Sequence, residues 1–301
     1  AITFVIFYML PAEDPAIRFA GKAPTPALVA EVKNQLGLDD PIYVQYGRFV
    51  RNVFLGDEHG WPGLGFSFDT RSPIREEIFD RTVVTLQLAM GAAIVWLALG
   101  IPIGIVSALK RRSIVDRVAM GFALFGISAP VFWLGLMALY LFWEKWDILP
   151  GTGYEPIGGG FGDWFSHMIL PWFVLALLFA AFYARMVRGN MIETMSEDYI
   201  RTARAKGLSE RRVVFKHGLR ASLTPIVTMF GIDLGTLLGG AVITEKVFNI
   251  PGLGDYAIRA VGNVDLPVIV AVVVFAALFI SLLNLIVDVV YAYLDPRVRY
   301  S

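Results

Sequence analysis

The chain has 301 residues, of which 56% are hydrophobic and 17% charged, with a mean hydropathy of +0.61 and a formal net charge of zero. A soluble globular domain averages about 45–50% apolar and about 25% charged residues, so this composition excludes one and points to an integral membrane protein. Cysteine is absent, which excludes disulfides and thiolate metal sites, and the three scattered histidines, His59, His167 and His217, show no metal-ligand spacing.

In chain order, residues 1–10 are apolar but span only half a membrane. With no basic segment before them they do not read as a signal peptide; the expectation is the outer half of a first transmembrane helix that begins before Ala1. Residues 11–82 are polar and carry three predicted helices. Thr25 caps the first, Pro26 takes its first helical position and Gly37 ends it. Asp40, Pro41 and Gly56 punctuate the second, in which Ile42, Tyr46, Phe49, Val50 and Val53 form an apolar face at helical spacing. Ser72-Pro73 with Glu76 and Glu77 opens the third, which leads into the membrane. Between them Trp61 to Ser67 is an aromatic, turn-rich loop, suited either to a partner or to the membrane surface.

Five long apolar segments come next, at about 83–109, 118–143, 167–184, 222–244 and 267–294. A bilayer core takes roughly 20 helical residues, so the third is short, which implies a steep crossing or ends displaced by a few residues. Charge separates the connections into two sets. Loops 110–117 and 185–220 and the tail 295–301 carry +3, +5 and +1, whereas 11–82, 144–166 and 245–266 carry −3, −3 and −1. The positive-inside bias places the first set in the cytoplasm. Six crossings result, with both termini cytoplasmic once the start of that first helix is included. Two acids lie inside apolar segments. Asp288 is near the cytoplasmic end, where water can reach it. Asp233 lies in GIDLGTLLGGA, near the middle of its segment, where a charge costs several kcal/mol unless hydrated, paired or protonated. It is a candidate for a solute pathway or for a contact with a partner subunit, the alternative being a neutral or hydrogen-bonded acid packed against another helix. Gly231, Gly235, Gly239 and Gly240 around it permit close helix approach.

Residues 185–225 hold nine Lys/Arg against four Asp/Glu. Their centre reads Asp198-Tyr199-Ile200-Arg201-Thr202-Ala203-Arg204-Ala205-Lys206-Gly207. The pattern predicts a short basic helix, a left-handed glycine corner at Gly207, and a second helix capped by Ser209 and running to about Arg220. Pro225 then sits in the first turn of the next apolar helix. By charge alone this is either a topology-setting loop or a docking element. Small residues among cations suit close approach by another protein. Of the two small residues on nearly opposite sides, Ala203 is expected to point into a partner, with Gly207 four residues on.

No G-x-x-x-x-G-K-[ST] occurs in the chain, and Gly151-Thr152-Gly153 and Gly158-Gly159-Gly160 precede no strand-to-helix unit. No Ser/His/Asp constellation stands out either, so no nucleotide, cofactor, metal or catalytic site is expected here.

The ten residues 198–207 closely resemble the cytoplasmic coupling loop of ABC-importer permeases of the peptide type. The general importer signature begins Glu-Ala-Ala; here Arg201, Thr202 and Ala203 stand at those positions, a departure that the peptide-type branch shares. Leu36 to Tyr46, Gly65-Phe66-Ser67 with Ser72-Pro73-Ile74, Glu245 to Gly254 and Asp288 to Arg297 are similar to the same branch, so the resemblance covers essentially the whole chain.

The resemblance implies an all-α polytopic fold of six transmembrane helices (the type I importer permease fold). It divides the chain into a first helix (1–10), an extracytoplasmic helical segment (11–82), a permease core (83–294, with its coupling loop at 185–224) and a cytoplasmic tail (295–301). It implies a non-enzymatic subunit of a bacterial or archaeal inner membrane that translocates peptides. A second homologous permease, two ATPase subunits that carry the ATP and Mg, and an extracytoplasmic solute-binding protein would complete the machine, with no nucleic-acid partner. Asp198, Tyr199, Arg201 to Lys206, Gly207 and Leu208 would then couple to the ATPase, and Asp233 is the pathway candidate. Relatives of the branch also carry nickel complexes, opines or oligosaccharides. A secondary transporter or channel would predict repeated broken helices with ionisable pathways, and a membrane enzyme would need a catalytic cluster; neither is seen.

Overall fold

The structure, a computed structural model, describes residues 2–9, 14–21, 24–238 and 241–294. The tail 295–301 and Gly239-Gly240 lie outside the described residues, as does the side chain of Asp288. The chain divides into two compact units.

The first unit holds residues 1–85, 238–242 and 251–281. It begins with α1 (Ile2–Phe4), prolonged as a π-helical turn over Val5–Met9. Asp14 accepts from the Ala16 amide at 2.9 Å and so opens α2 (Pro15–Phe19), a helix without a counterpart in the sequence reading. The next two helices obey their punctuation. Thr25 Oγ1 accepts from the Leu28 amide at 3.3 Å to start α3 (Pro26–Leu36), and Gly37 stops it at φ +59°. Pro41 precedes α4 (Ile42–Leu55), which Gly56 ends. Side chains of α4 reach back to the turn between the two: Gln45 Nε2 donates to the carbonyls of Leu38 and Asp40 at 2.9 and 2.8 Å, and Arg48 pairs with Asp40. A small antiparallel hairpin, β1 (Phe66–Ser67) with β2 (Ser72–Pro73), leads into α5 (Ile74–Leu109).

Residues 245–266, read from the sequence as a connecting loop, are mostly helical. The chain forms α13 (Val242–Phe248) and α14 (Leu253–Asn263) before the long α15 (Leu266–Leu294). In the first unit Ile74, Ile78, Leu253, Val268 and Phe275 form one core with Leu64 and Tyr256. Ala16, Phe19, Val32, Leu266 and Val270 form another. Ser67 Oγ donates to Asp265, whose carboxyl is pushed up from its ordinary value by burial. Arg259 at 2.6 Å pairs with the buried Asp255.

The second unit holds residues 86–237, 243–250 and 282–301. Its frame is α5 against α8 (Phe161–Thr194). Gly100 and Gly104, one turn apart on α5, let the backbones approach: a methyl at Gly104 would lie 2.6 Å from Val187 Cβ, and one at Gly100 2.9 Å from Tyr183 Cβ. At Gly91 the side chain of Trp172 occupies the space, its Nε1 donating to the Gln87 carbonyl at 3.0 Å. Gln87 Oε1 also accepts from Tyr154 and Trp164, both at 2.9 Å.

Three apolar segments differ from the expected crossings. The segment near 118–143 is broken: α6 (Ile114–Ser128) and α7 (Val131–Leu139), the latter continuing as a π-helical turn over Tyr140–Lys145, diverge by 102°. The break falls at Ala129-Pro130, where proline lacks a backbone donor and disfavours helix in the residue before it. The segment near 167–184 is not short. It is the apolar middle of α8, whose 34 residues also include Asp163 at one end and Arg185 and Arg188 at the other. Its ends are therefore displaced by far more than a few residues. Pro225–Leu237 of α12 (Thr224–Leu238) and α13 diverge by 55°. Among the described residues, three helices are long and apolar enough to cross a membrane, or up to five if each bent pair is one span.

Candidate functional site

The basic stretch forms a compact corner. α8 continues to Thr194, so the connection begins only at Met195 rather than at 185. Then come α9 (Asp198–Ala205), Gly207 at φ +73°, and a helical run composed of α10 (Glu210–Arg212), a π turn over Val213–Gly218 and α11 (Leu219–Ser222). Ser209 stands at the N-terminal boundary of α10 without a side-chain capping bond. A small hydrophobic core holds the corner shut: Ile200, Ala203 and Val213 are buried together, with Met195 and Leu208 packed around them. Arg204 forks onto Glu210 across the corner, Nη2 to Oε1 at 2.7 Å and Nε to Oε2 at 3.1 Å, which holds the Glu210 carboxyl below its ordinary value. A methyl at Gly218 would meet Met195 Sδ at 2.8 Å, so the second helical run lies close on the end of α8.

This geometry corrects one residue of the sequence reading. Ala203 is 7% exposed and faces its own chain's Ile200 and Val213, not outwards. The i, i+3 pair Ile200 and Ala203 turns inwards because the second helical run offers Val213 as a partner, a contact that position within α9 does not reveal. Asp198, Tyr199, Arg201, Thr202, Arg204, Ala205, Lys206 and Gly207 are exposed, and Leu208 is half-buried. The small outward residue is Ala205.

Three helices converge on one carboxylate that no sequence signal singled out. Asp116 is 4% exposed. Arg188 of α8 grips it bidentately, Nε to Oδ1 at 2.6 Å and Nη2 to Oδ2 at 2.8 Å. Ser107 of α5 donates its hydroxyl to Oδ1, and the Arg112 amide donates to Oδ2 at 2.8 Å. Both oxygens thus have two donors, which a buried carboxylate needs to remain ionised. Ser113 Oγ accepts from the Asp116 amide at 3.3 Å and so caps α6, but nothing near Asp116 in the sequence indicates the reach to Arg188, 72 residues on.

Asp233 lies on α12 and is not fully packed away. The Tyr183 hydroxyl on α8 donates to its Oδ2 at 2.8 Å. It lines a cavity of about 210 Å³ together with Ile127, Leu178, Phe179, Phe182 and Met229. Behind Phe179, Trp96 is fully buried, its ring 4.7 Å from Phe179, 6.0 Å from Tyr183 and 5.8 Å from Phe230. The Trp96 indole N–H has no partner among the described residues. Among the same residues no cluster of His, Cys, Asp and Glu could hold a metal ion.

Long apolar helices, two of them broken, a basic helix–glycine–helix corner and a carboxylate beside an apolar cavity define a membrane transport component. The family described as binding-protein-dependent transport system inner membrane component matches residues 100–300, and its N-terminal counterpart matches residues 1–89. The chain belongs to this family, the inner-membrane permeases of ABC importers. It is 39% identical to the dipeptide transport system permease protein DppB of Escherichia coli, covering 100% of this chain and 94% of that one. It is 41% identical to the glutathione transport system permease protein GsiC of Salmonella paratyphi A, covering 100% and 93%. In fold it is similar to a chain of the MetNI methionine ABC transporter, solved in an inward-facing conformation, with a TM-score of 0.60 at 19% identity over 74% of this chain and 99% of that one.

Proposed function

We propose that this chain is the peptide-translocating permease subunit of an ATP-driven importer in a bacterial or archaeal inner membrane. The observation that carries the reading is its full-length likeness to a dipeptide permease and a glutathione permease. Both named cargoes are small peptides with a free α-ammonium group. The chain pairs with a second, related permease, receives cargo from an extracytoplasmic solute-binding protein and draws its energy from two ATPase subunits that hold ATP and Mg. Residues 11–82 face outwards, and the basic corner and the C-terminal end face the cytoplasm. An ATPase docks on the outward side of α9, on Tyr199, Thr202 and Ala205 with the cations around them, and its closure tilts the permease between outward- and inward-facing states.

The test is uptake by the reconstituted complex. Labelled dipeptide enters in an ATP-dependent manner and excess unlabelled dipeptide competes it away; glutathione serves as the second arm. Uptake of a nickel complex or an oligosaccharide, with no uptake of either peptide, would remove the peptide assignment.

A further inference from the structure

We infer that the cavity beside Asp233 receives the N-terminal residue of a peptide in transit, with the α-ammonium on the Asp233 carboxylate and the first side chain in the apolar pocket. The inference rests on the peptide cargo proposed above and adds to it a site and a polarity. A carboxylate inside an apolar segment is costly without a counter-charge, yet the partner it has, the Tyr183 hydroxyl at 2.8 Å, is neutral. Among the described residues the hydrogen bond to its carboxyl comes from Tyr183 alone. A ligand that brings a cation supplies the missing charge, and an ammonium group does so with three donors. The rest of the lining suits the side chain next to an α-ammonium. A cavity of about 150 Å³ holds a benzene ring, so about 210 Å³ accommodates an aliphatic or aromatic side chain among Ile127, Leu178, Phe179, Phe182 and Met229. Phe179 and Phe182 add aromatic surface to the lining, and Trp96 stacks on one face of Phe179 at 4.7 Å. The opposite end of a peptide, a carboxylate, would be repelled, and a neutral oligosaccharide has no charge to offer.

Because the chain lacks cysteine, a single cysteine at Leu178 in the assembled complex, with its alkylation followed on this chain alone, gives a readout independent of transport. Leucyl-alanine slows its alkylation about tenfold relative to N-acetyl-leucyl-alanine, the factor that one charge-assisted hydrogen bond supplies. Asp233→Asn, which keeps an acceptor for Tyr183, abolishes the difference, and Asp233→Glu retains part of it. Equal protection by the two peptides, or a difference that survives Asp233→Asn, overturns the inference. If Asp233→Asn does not assemble, the comparison of free and acetylated peptide in the Leu178→Cys complex decides alone. Uptake of labelled leucyl-alanine by the unsubstituted complex is measured alongside. Uptake without selective protection overturns the site only, whereas absence of uptake overturns the peptide reading beneath it.

Discussion

Asp116 and Arg188 show what a single buried ion pair does in an apolar bundle. The carboxylate is almost wholly out of water, while the guanidinium side chain is 26% exposed. Removing one partner leaves the other charge buried, at a cost of about 3–5 kcal/mol for a fully buried pair; the partial exposure of Arg188 places this one at about 3 kcal/mol. Arg188→Ala is therefore expected to lower the thermal midpoint of the solubilised complex markedly. Arg188→Lys recovers only part, since an ammonium cannot fork onto both oxygens. An unchanged midpoint in Arg188→Ala would show that the pair contributes no stability. At the corner, the contrast between two alanines separates folding from docking. Ala203→Trp overfills the contact with Ile200 and Val213, at about 1–3 kcal/mol, and loses assembled protein whatever the partner. Ala205→Trp, on the exposed side, leaves the fold intact and is expected to lower uptake while ATP hydrolysis runs uncoupled from cargo. Normal coupling in Ala205→Trp would refute docking on this side of α9.

Among elements, α5 and α8 depend on residues that are absent as much as on those present. Gly100 and Gly104 face Ala180, Tyr183, Ala184 and Val187, and a methyl at either position would come within 3 Å of a neighbouring atom. In lipid there is little hydrophobic force between helices, so close packing of small residues has to hold them together. Gly104→Leu is expected to separate the two helices and prevent recovery of the complex, whereas Gly121→Leu, where a side chain meets open space, is tolerated. Equal recovery of both variants would show that the approach of α5 to α8 is dispensable. The broken helices obey a similar logic. Proline removes a backbone donor at Pro130, and non-helical backbone at membrane depth is tolerated only where protein or a water-lined cavity covers it.

For the whole molecule, the proposed orientation is tested by labelling from each side. Glu58 is exposed, whereas Asp57 accepts hydrogen bonds from the amides of His59 and Gly65, so Glu58→Cys disturbs less. Arg211, exposed on α10, supplies the other side and leaves the Arg204–Glu210 pair intact. Single cysteines at positions 58 and 211 should react with an impermeant thiol reagent from the outer and the cytoplasmic face respectively; the reverse assignment would invert the proposed topology, and reaction of both from one face would abolish it.

Several features were legible in the residues themselves because their causes are local. Thr25, Pro26 and Gly37 delimit α3 through one capping bond, a fixed φ and a left-handed stop, and Gly207 turns the basic corner for the same backbone reason. Hydropathy alone identified a membrane protein, and the wording of residues 198–207 identified the family. What the tertiary structure decided depends on partners far apart in the chain. The full length of α8 was hidden because its charged ends, Asp163 and Arg188, look like loop residues until Asp116 is seen to neutralise one of them. Ala203 turned inwards because Val213 waits across the corner, and Asp233 met Tyr183 from 50 residues away. A helix's sequence period says which residues share a face, but which face is covered depends on the neighbour that packs there, and only the folded chain supplies that neighbour.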